Sequence, residues 1–329
     1  MSNQKFPVYT ELRTRGALPP AWLVTPGMPL SRHKGPMPNH VVDIRNVCDY
    51  VHAVPQEWWS IVDDVPNVAP PFQNMWLEGR VPVLNISEES GIRNLAEHER
   101  YGWGVMMFGT PLKRTATGKE LEELVMYTAS CGGAINFSAL KWNDAKQLRS
   151  SEADFILTLA LFIEAEPGRV IGPIAHRVVV ADKMGKPTWS SADIIQATNP
   201  DHPALNGSIQ FGAIFCEAML AVSFMHCRNV EMVEATSEPT PKQRKRGVPR
   251  FTYRTLKIDP ITRILNHQGE AASKGLAHAL HVCRGHFKTY TDDAPLFGKN
   301  VGTWFWGDHV RGSPDAGTVV KDYVVNGAA

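Results

Sequence analysis

The stretch from Ile209 to Cys227 is apolar on nearly every side, and this constrains the fold more than any other part of the chain. A helix with no polar face has to be covered all round, by lipid or by the rest of the protein. The run only just reaches spanning length and carries Glu217 and His226 within it, so the expectation is a buried helix rather than a membrane span. Such a helix needs a large core around it. With 43% apolar and 20% charged residues among 329, the chain can supply one, and wholesale disorder is excluded.

The material for that core is read as strands from about 101 to 180. GWGVMMFG, ELVMYTASCGGAINF, DFILTLALFI and HRVVVAD are rich in β-branched and aromatic residues, with DKMGKP as turn chemistry. DFILTLALFIEAE would also suit a buried helix, because a short apolar run does not decide between the two. After the apolar helix, NVEMVEAT and FTYRTLKI read as strands, separated by the loop SEPTPKQRKRGVPR. A short polar helix at about 260–275 precedes two strands joined by a turn, LHVCRGHFKTYT and GTWFWGDHVRG, and VVKDYVV forms a last strand. Residues 1–40, with Pro19-Pro20, Pro26-Gly27, Gly35-Pro36 and Pro38, read as an extended arm. Residues 41–100 read as short helical pieces and loops anchored by Glu57-Trp58-Trp59 and Met75-Trp76-Leu77. The expected fold is α+β: mainly antiparallel sheet, a buried apolar helix and a Pro/Gly-rich N-terminal arm. The expected organisation is an arm over 1–40, an α+β body over 41–200, and a C-terminal α+β unit over 201–329, possible also as one domain with the body.

The five cysteines are scattered without a C-x-x-C pair, which points to reduced thiols rather than a disulfide framework or zinc ribbon. MSNQKFPVYTELRTRG has no apolar core of a secretory signal, so a cytoplasmic protein is expected. With 34 Lys and Arg against 33 Asp and Glu, a uniformly basic nucleic-acid coat is excluded, but local patches are not. One such patch is plain: Lys242, Arg244, Lys245, Arg246, Arg250, Arg254 and Lys257 fall together with no acid among them. A Pro- and Gly-flanked loop of this kind suits contact with phosphates, or merely stays solvated.

A second feature is a row of cations on the penultimate strands. Strand side chains alternate between faces. In LHVCRGHFKTY this sets Arg284, His286, Lys288 and Tyr290 on one side and His281, Cys283 and Phe287 on the other. If GTWFWGDHVRG pairs in a suitable register, His309 and Arg311 join the first group. Two imidazoles can act as acid and base at neutral pH, and Arg and Lys can neutralise charge developing on a phosphate. That chemistry suits a metal-independent ribonuclease, with His286 and His309 as the acid–base pair, Arg284, Lys288 and Arg311 on the phosphate, and Tyr290 orienting it. No metal site is expected, although His278, His281, His286, His309 and Asp308 are the side chains that could offer one. Trp304 and Trp306 share a face and could stack a base, or pack into the core.

MHCRNVEMVE, PKQRKRGVPRFTYRTLKI and LHVCRGHFKTYTDDAPLFGKNVGTWFWGDHVRG resemble the C-terminal region of a family of uncharacterised proteins of phages, prophages and bacterial mobile elements. The most specific pieces are H-x-C-R-G-H-F-K-x-Y, L-F-G-K and H-V-R-G. The resemblance spans about the last third of the chain and implies a setting rather than a reaction. The expectation is a phosphate-handling, RNA-directed protein without cofactor or membrane, cleaving RNA or else acting as a nucleic-acid- or protein-binding module or a virion assembly protein.

Overall fold

The computed structural model describes residues 6–14, 38, 40–47, 65–81, 101–130, 142–166, 169–191, 194–195, 211–248, 250–261, 279–283, 285–307, 309–311 and 313–318. The chain divides into two compact units, one comprising 1–226 and 230–257 and the other 227–229 and 258–329.

The first unit is built on a nine-stranded sheet. Its strands are β1 (His40–Asp43), β2 (Asn74–Val81), β3 (Tyr101–Thr117), β4 (Glu152–Glu166), β5 (Arg169–Ala181), β6 (Pro187–Ser190), β7 (Ile194–Ile195), β8 (Val230–Ser237) and β9 (Phe251–Ile258). Their order is β6-β5-β4-β3-β2-β1-β9-β8, with β7 also on β5. The long strands β2 to β5 pair antiparallel, but β1 pairs parallel with both β2 and β9. The sheet is therefore mixed, and residues 40–43 and 74–81 are strands where helical pieces were expected. DFILTLALFIEAE is strand, as β4.

Pairing aligns one row across the sheet: Tyr253, Val41, Trp76, Met106, Ala160 and His176 stand on one face of β9, β1, β2, β3, β4 and β5. Helix α1 (Pro7–Thr14) covers one part of that face through Phe6, Val8, Tyr9 and Leu12, so the N-terminal region is no mere arm at this point. Helices α2 (Gly118–Ser130) and α3 (Trp142–Ser150) cover another part, with Leu121, Val125 and Leu148 buried against Ile156, Val178 and Val180. This corrects the strand expected from ELVMYTAS: Leu121 and Val125 are four apart on one helical face, which outweighs the β-branched texture.

The apolar helix is α4 (Phe211–Met225), with Ile214 to Phe224 buried without a break. Arg177, on the sheet face opposite His176, holds its guanidinium 5.5 Å over the Phe215 ring of α4. Ser223 Oγ donates to Asn67 O at 2.7 Å, and His226 Nε2 lies 2.6 Å from Ala69 O, tying the end of α4 to the segment before β2. Among the described residues no helix is long and apolar enough to cross a membrane. Because β9 joins the large sheet through β1, α4, β8 and β9 belong to the first unit, and residues 201–329 are not one unit.

The start of α1 shows how the sheet organises its surroundings. A helix leaves its first N–H groups without internal partners, and α1 has no side-chain cap in its own sequence. Pro7 has no N–H to satisfy, and Thr10 N–H reaches Phe6 O at 3.1 Å. The N–H groups of Val8 and Tyr9 donate to Glu78 Oε1 and Oε2 at 3.0 and 2.9 Å. Trp76 Nε1 donates to the same carboxyl at 2.9 Å, its indole lying where a side chain at Gly104 would collide with it. Burial pushes the Glu78 carboxyl up to about 7, against these hydrogen bonds and the charge of Arg45, which favour its ionised form. Arg45 is paired with Asp43 and lies 5.6 Å over the Phe6 ring.

Candidate nucleic-acid interface

In the second unit LHVCRGHFKTYT is not one strand but two, β10 (Ala279–Cys283) and β11 (His286–Tyr290). GTWFWGDHVRG likewise divides into β12 (Gly302–Trp306) and β13 (His309–Arg311), and β14 (Ser313–Thr318) follows. VVKDYVV and the helix expected at 260–275 lie outside the described residues. β11 pairs with β12 as a two-stranded antiparallel ribbon, while β10 lies between β13 and β14.

The ribbon register sets His286 opposite Trp306, Lys288 opposite Trp304 and Tyr290 opposite Gly302. Directly paired residues share a face, so one face of the ribbon carries imidazole, ammonium and phenol beside two indoles. Lys288 Nζ sits 4.9 Å over the Tyr290 ring. Lys288 is exposed, while His286, Tyr290, Trp304 and Trp306 are half-buried, so the tryptophans are not core residues. Among the described residues neither indole N–H has an acceptor. The opposite face is structural: Phe287 meets Phe305 at 5.3 Å, and the Thr289 and Thr303 hydroxyls lie 2.9 Å apart.

The outer edge of β12 is held in place. Asn229 Nδ2 donates to Phe305 O at 2.9 Å and to Asp259 O at 2.7 Å, while its Oδ1 accepts from Phe305 N–H at 3.0 Å. Arg228 N–H donates to Thr303 O at 2.8 Å, and a Cβ at Gly302 (φ +117°) would come within 2.9 Å of Arg228 Nε. Asn229 is a positioning residue that strand patterning gave no reason to single out.

The other expected residues distribute as follows. Cys283 pairs with His309 and His281 with Arg311. The Cys283–His309 pair and the His286–Trp306 pair belong to different sheets. The register thus makes Trp306, not His309, the cross-strand neighbour of His286. Arg284, Asp308 and His278 lie outside the described residues.

The basic segment belongs to the first unit. Its loop contains a short helix, α5 (Pro241–Lys245), closed by a capping box in which Thr240 Oγ1 accepts from Gln243 N–H and Gln243 Oε1 accepts from Thr240 N–H. Lys242, Arg244, Lys245 and Arg246 are exposed, and among the described residues they form no ion pair. Arg250 and Arg254 differ: they pair with Glu238, just past the end of β8, at 2.8 Å and with Glu234 of β8 at 3.0 Å. Arg254 also lies 4.7 Å over Phe72, whose ring stacks on His40 at 3.9 Å, so it braces the sheet. Lys257 is exposed at the end of β9.

Among the described residues no three His, Cys, Asp or Glu side chains gather closely enough to hold a metal ion. The fold and this surface define an α+β protein with a mixed sheet and a separate aromatic, cationic ribbon. No family model, curated protein or solved structure matches the chain.

Proposed function

We propose that the chain binds single-stranded nucleic acid, RNA foremost, along the β11–β12 ribbon. The carrying observation is that Lys288 and His286 stand directly across from Trp304 and Trp306 on one face, where Lys288 is exposed and the other three are half-buried. Indole rings stack with any base, and a neighbouring ammonium contacts the backbone, so the pair needs no particular sequence. The exposed cations Lys242, Arg244, Lys245 and Arg246 add a second anion-attracting surface on the first unit. The resemblance of the last third to phage and mobile-element proteins is compatible with such a role.

RNA cleavage draws less support, since His286 and His309 have different cross-strand neighbours. The test is titration of the whole chain with oligo(U) and oligo(dT) at several salt concentrations, in the presence and absence of EDTA. Binding should weaken steeply with salt, and Lys288→Ala should lower the salt slope by about 1. Trp304→Leu, which keeps an apolar side chain in place, should weaken binding about 5- to 100-fold. Binding indifferent to both changes would refute the reading, and EDTA-resistant cleavage lost in His286→Ala would move it to catalysis.

A further inference from the structure

The loop joining β11 to β12 carries L-F-G-K, a motif for which neither the fold nor the ribbon face accounts. Its end is well formed: Leu296 N–H donates to Asn300 O at 2.8 Å, and Asn300 N–H to Leu296 O at 3.0 Å. Leu296 is buried and anchors the turn. The next residue, Phe297, has φ +52° and is followed by Gly298 at φ +75°. Phe297 is the one non-glycine residue with positive φ among those described, and its side chain is 75% exposed.

Two local rules are broken at once. A left-handed turn position favours Gly, Asn or Asp, because other side chains crowd the backbone there. A large aromatic ring favours burial. Phe297 packs into no core, so its identity serves neither the turn nor the interior. Strain held in place by ordered hydrogen bonds on both sides, without a folding benefit, is characteristic of positions that contact something else. The charge around it is polarised along the loop: Asp292 and Asp293 occupy the first turn, while exposed Lys299 shares the second turn with Phe297.

We propose that Phe297 is a nucleobase-stacking residue at the tip of the ribbon, with Lys299 beside it for the adjoining phosphate. This rests on the reading of the ribbon as a single-strand binding surface. An exposed apolar ring on a hairpin tip can lie against the last base of a bound strand or wedge into a base step. The fixed turn presents the ring already ordered, so little freedom is lost on contact.

The experiment uses the full chain and oligo(U) carrying one 2-aminopurine, whose fluorescence falls when it is stacked. Wild type should bind and quench the probe. Phe297→Asn, which suits the left-handed turn, should abolish the quench at one end of the strand and weaken binding about 5- to 100-fold. Phe297→Trp should restore both, and Met184→Ala, at another exposed apolar side chain, should behave as wild type. If Phe297→Asn binds and quenches normally while Lys288→Ala weakens binding, the tip assignment is overturned and the ribbon reading stands. If wild type binds no polynucleotide, both fall. Phe297-dependent attachment to phosphatidylglycerol vesicles without oligonucleotide binding would overturn the assignment in favour of a lipid-contacting tip.

Discussion

Glu78 in the large sheet and Phe297 on the ribbon loop each depart from what their surroundings favour, and the molecule treats them in opposite ways. Glu78 is a buried carboxyl, and three donors from β2 and α1 converge on it. Phe297 is an exposed ring on a strained backbone, and nothing in its own fold relieves either condition. A rule broken with full local compensation belongs to the architecture: Glu78 holds α1 on the sheet. A rule broken without compensation points outward, to a partner that the isolated chain does not contain. The two units differ in the same sense, one closing over its buried polar groups and the other presenting aromatic and cationic side chains on a ribbon.

The largest effect should come from removing the compensated group. Glu78→Leu leaves the N–H groups of Val8 and Tyr9 and the Trp76 indole without an acceptor, at a cost of roughly 3–5 kcal/mol. The urea midpoint of the first unit should drop, and proteolysis should open near residues 7–14 first. An unchanged midpoint would mean that Glu78 is not the clamp of α1.

The dependence on pH sharpens the comparison further, because the first unit buries a second titratable group. Burial lowers the imidazole of His176, on the same sheet face as Trp76, to about 4. Glu78, raised from its usual 4.5 to about 7, contributes stability that is present below 4.5 and lost as pH rises through 7. His176 acts in the reverse sense: its contribution is present above 6.5 and lost as pH falls towards 4. Between these limits the two nearly cancel, each on the order of 3 kcal/mol in full. Glu78→Gln should therefore expose a stability that climbs with pH over this window, and His176→Gln one that declines. Urea midpoints at about pH 5 and about pH 8 read the slopes; parallel slopes in the two variants would rule out this pairing of opposites.

The smallest effect belongs to the uncompensated residue. Phe297→Asn relieves a left-handed conformation and removes little buried surface, so the second unit should gain about 1 kcal/mol while binding weakens. Thermal unfolding of the variant checks the gain. A loss of stability would make Phe297 a structural residue and erase the contrast with Glu78.

Much of the architecture was legible in local pattern. The apolar all-round run became α4, and DFILTLALFIEAE, NVEMVEAT and FTYRTLKI became β4, β8 and β9, because continuous or alternating apolar texture over such lengths leaves few ways to bury it. ELVMYTAS misled, since Val, Tyr and Thr suggest strand although Leu121 and Val125 fall on one helical stripe. His40–Asp43 and Asn74–Val81 are too embedded in turn chemistry to declare themselves, and only pairing with each other and with β9 makes them strands. The alternation that grouped His286, Lys288 and Tyr290 holds within β11, but its extension to His309 and Arg311 depended on a register that no single strand encodes.

By itself, then, the order of residues determined which segments must be buried, where the cations cluster, and which side chains alternate on a strand, since all of these follow from periodicities of a few residues. Only the tertiary structure decided what lies opposite what. A glutamate on β2 became the cap of a helix whose first residue is far earlier in the chain, and Glu234 and Glu238, in and just after β8, paired with two arginines of the basic segment while four cations beside them stayed exposed. Two tryptophans came to face a lysine and a histidine. Hydrogen bonds, ion pairs and stacking act over a few ångströms of space irrespective of separation along the chain, so their partners are set by the closing of the fold.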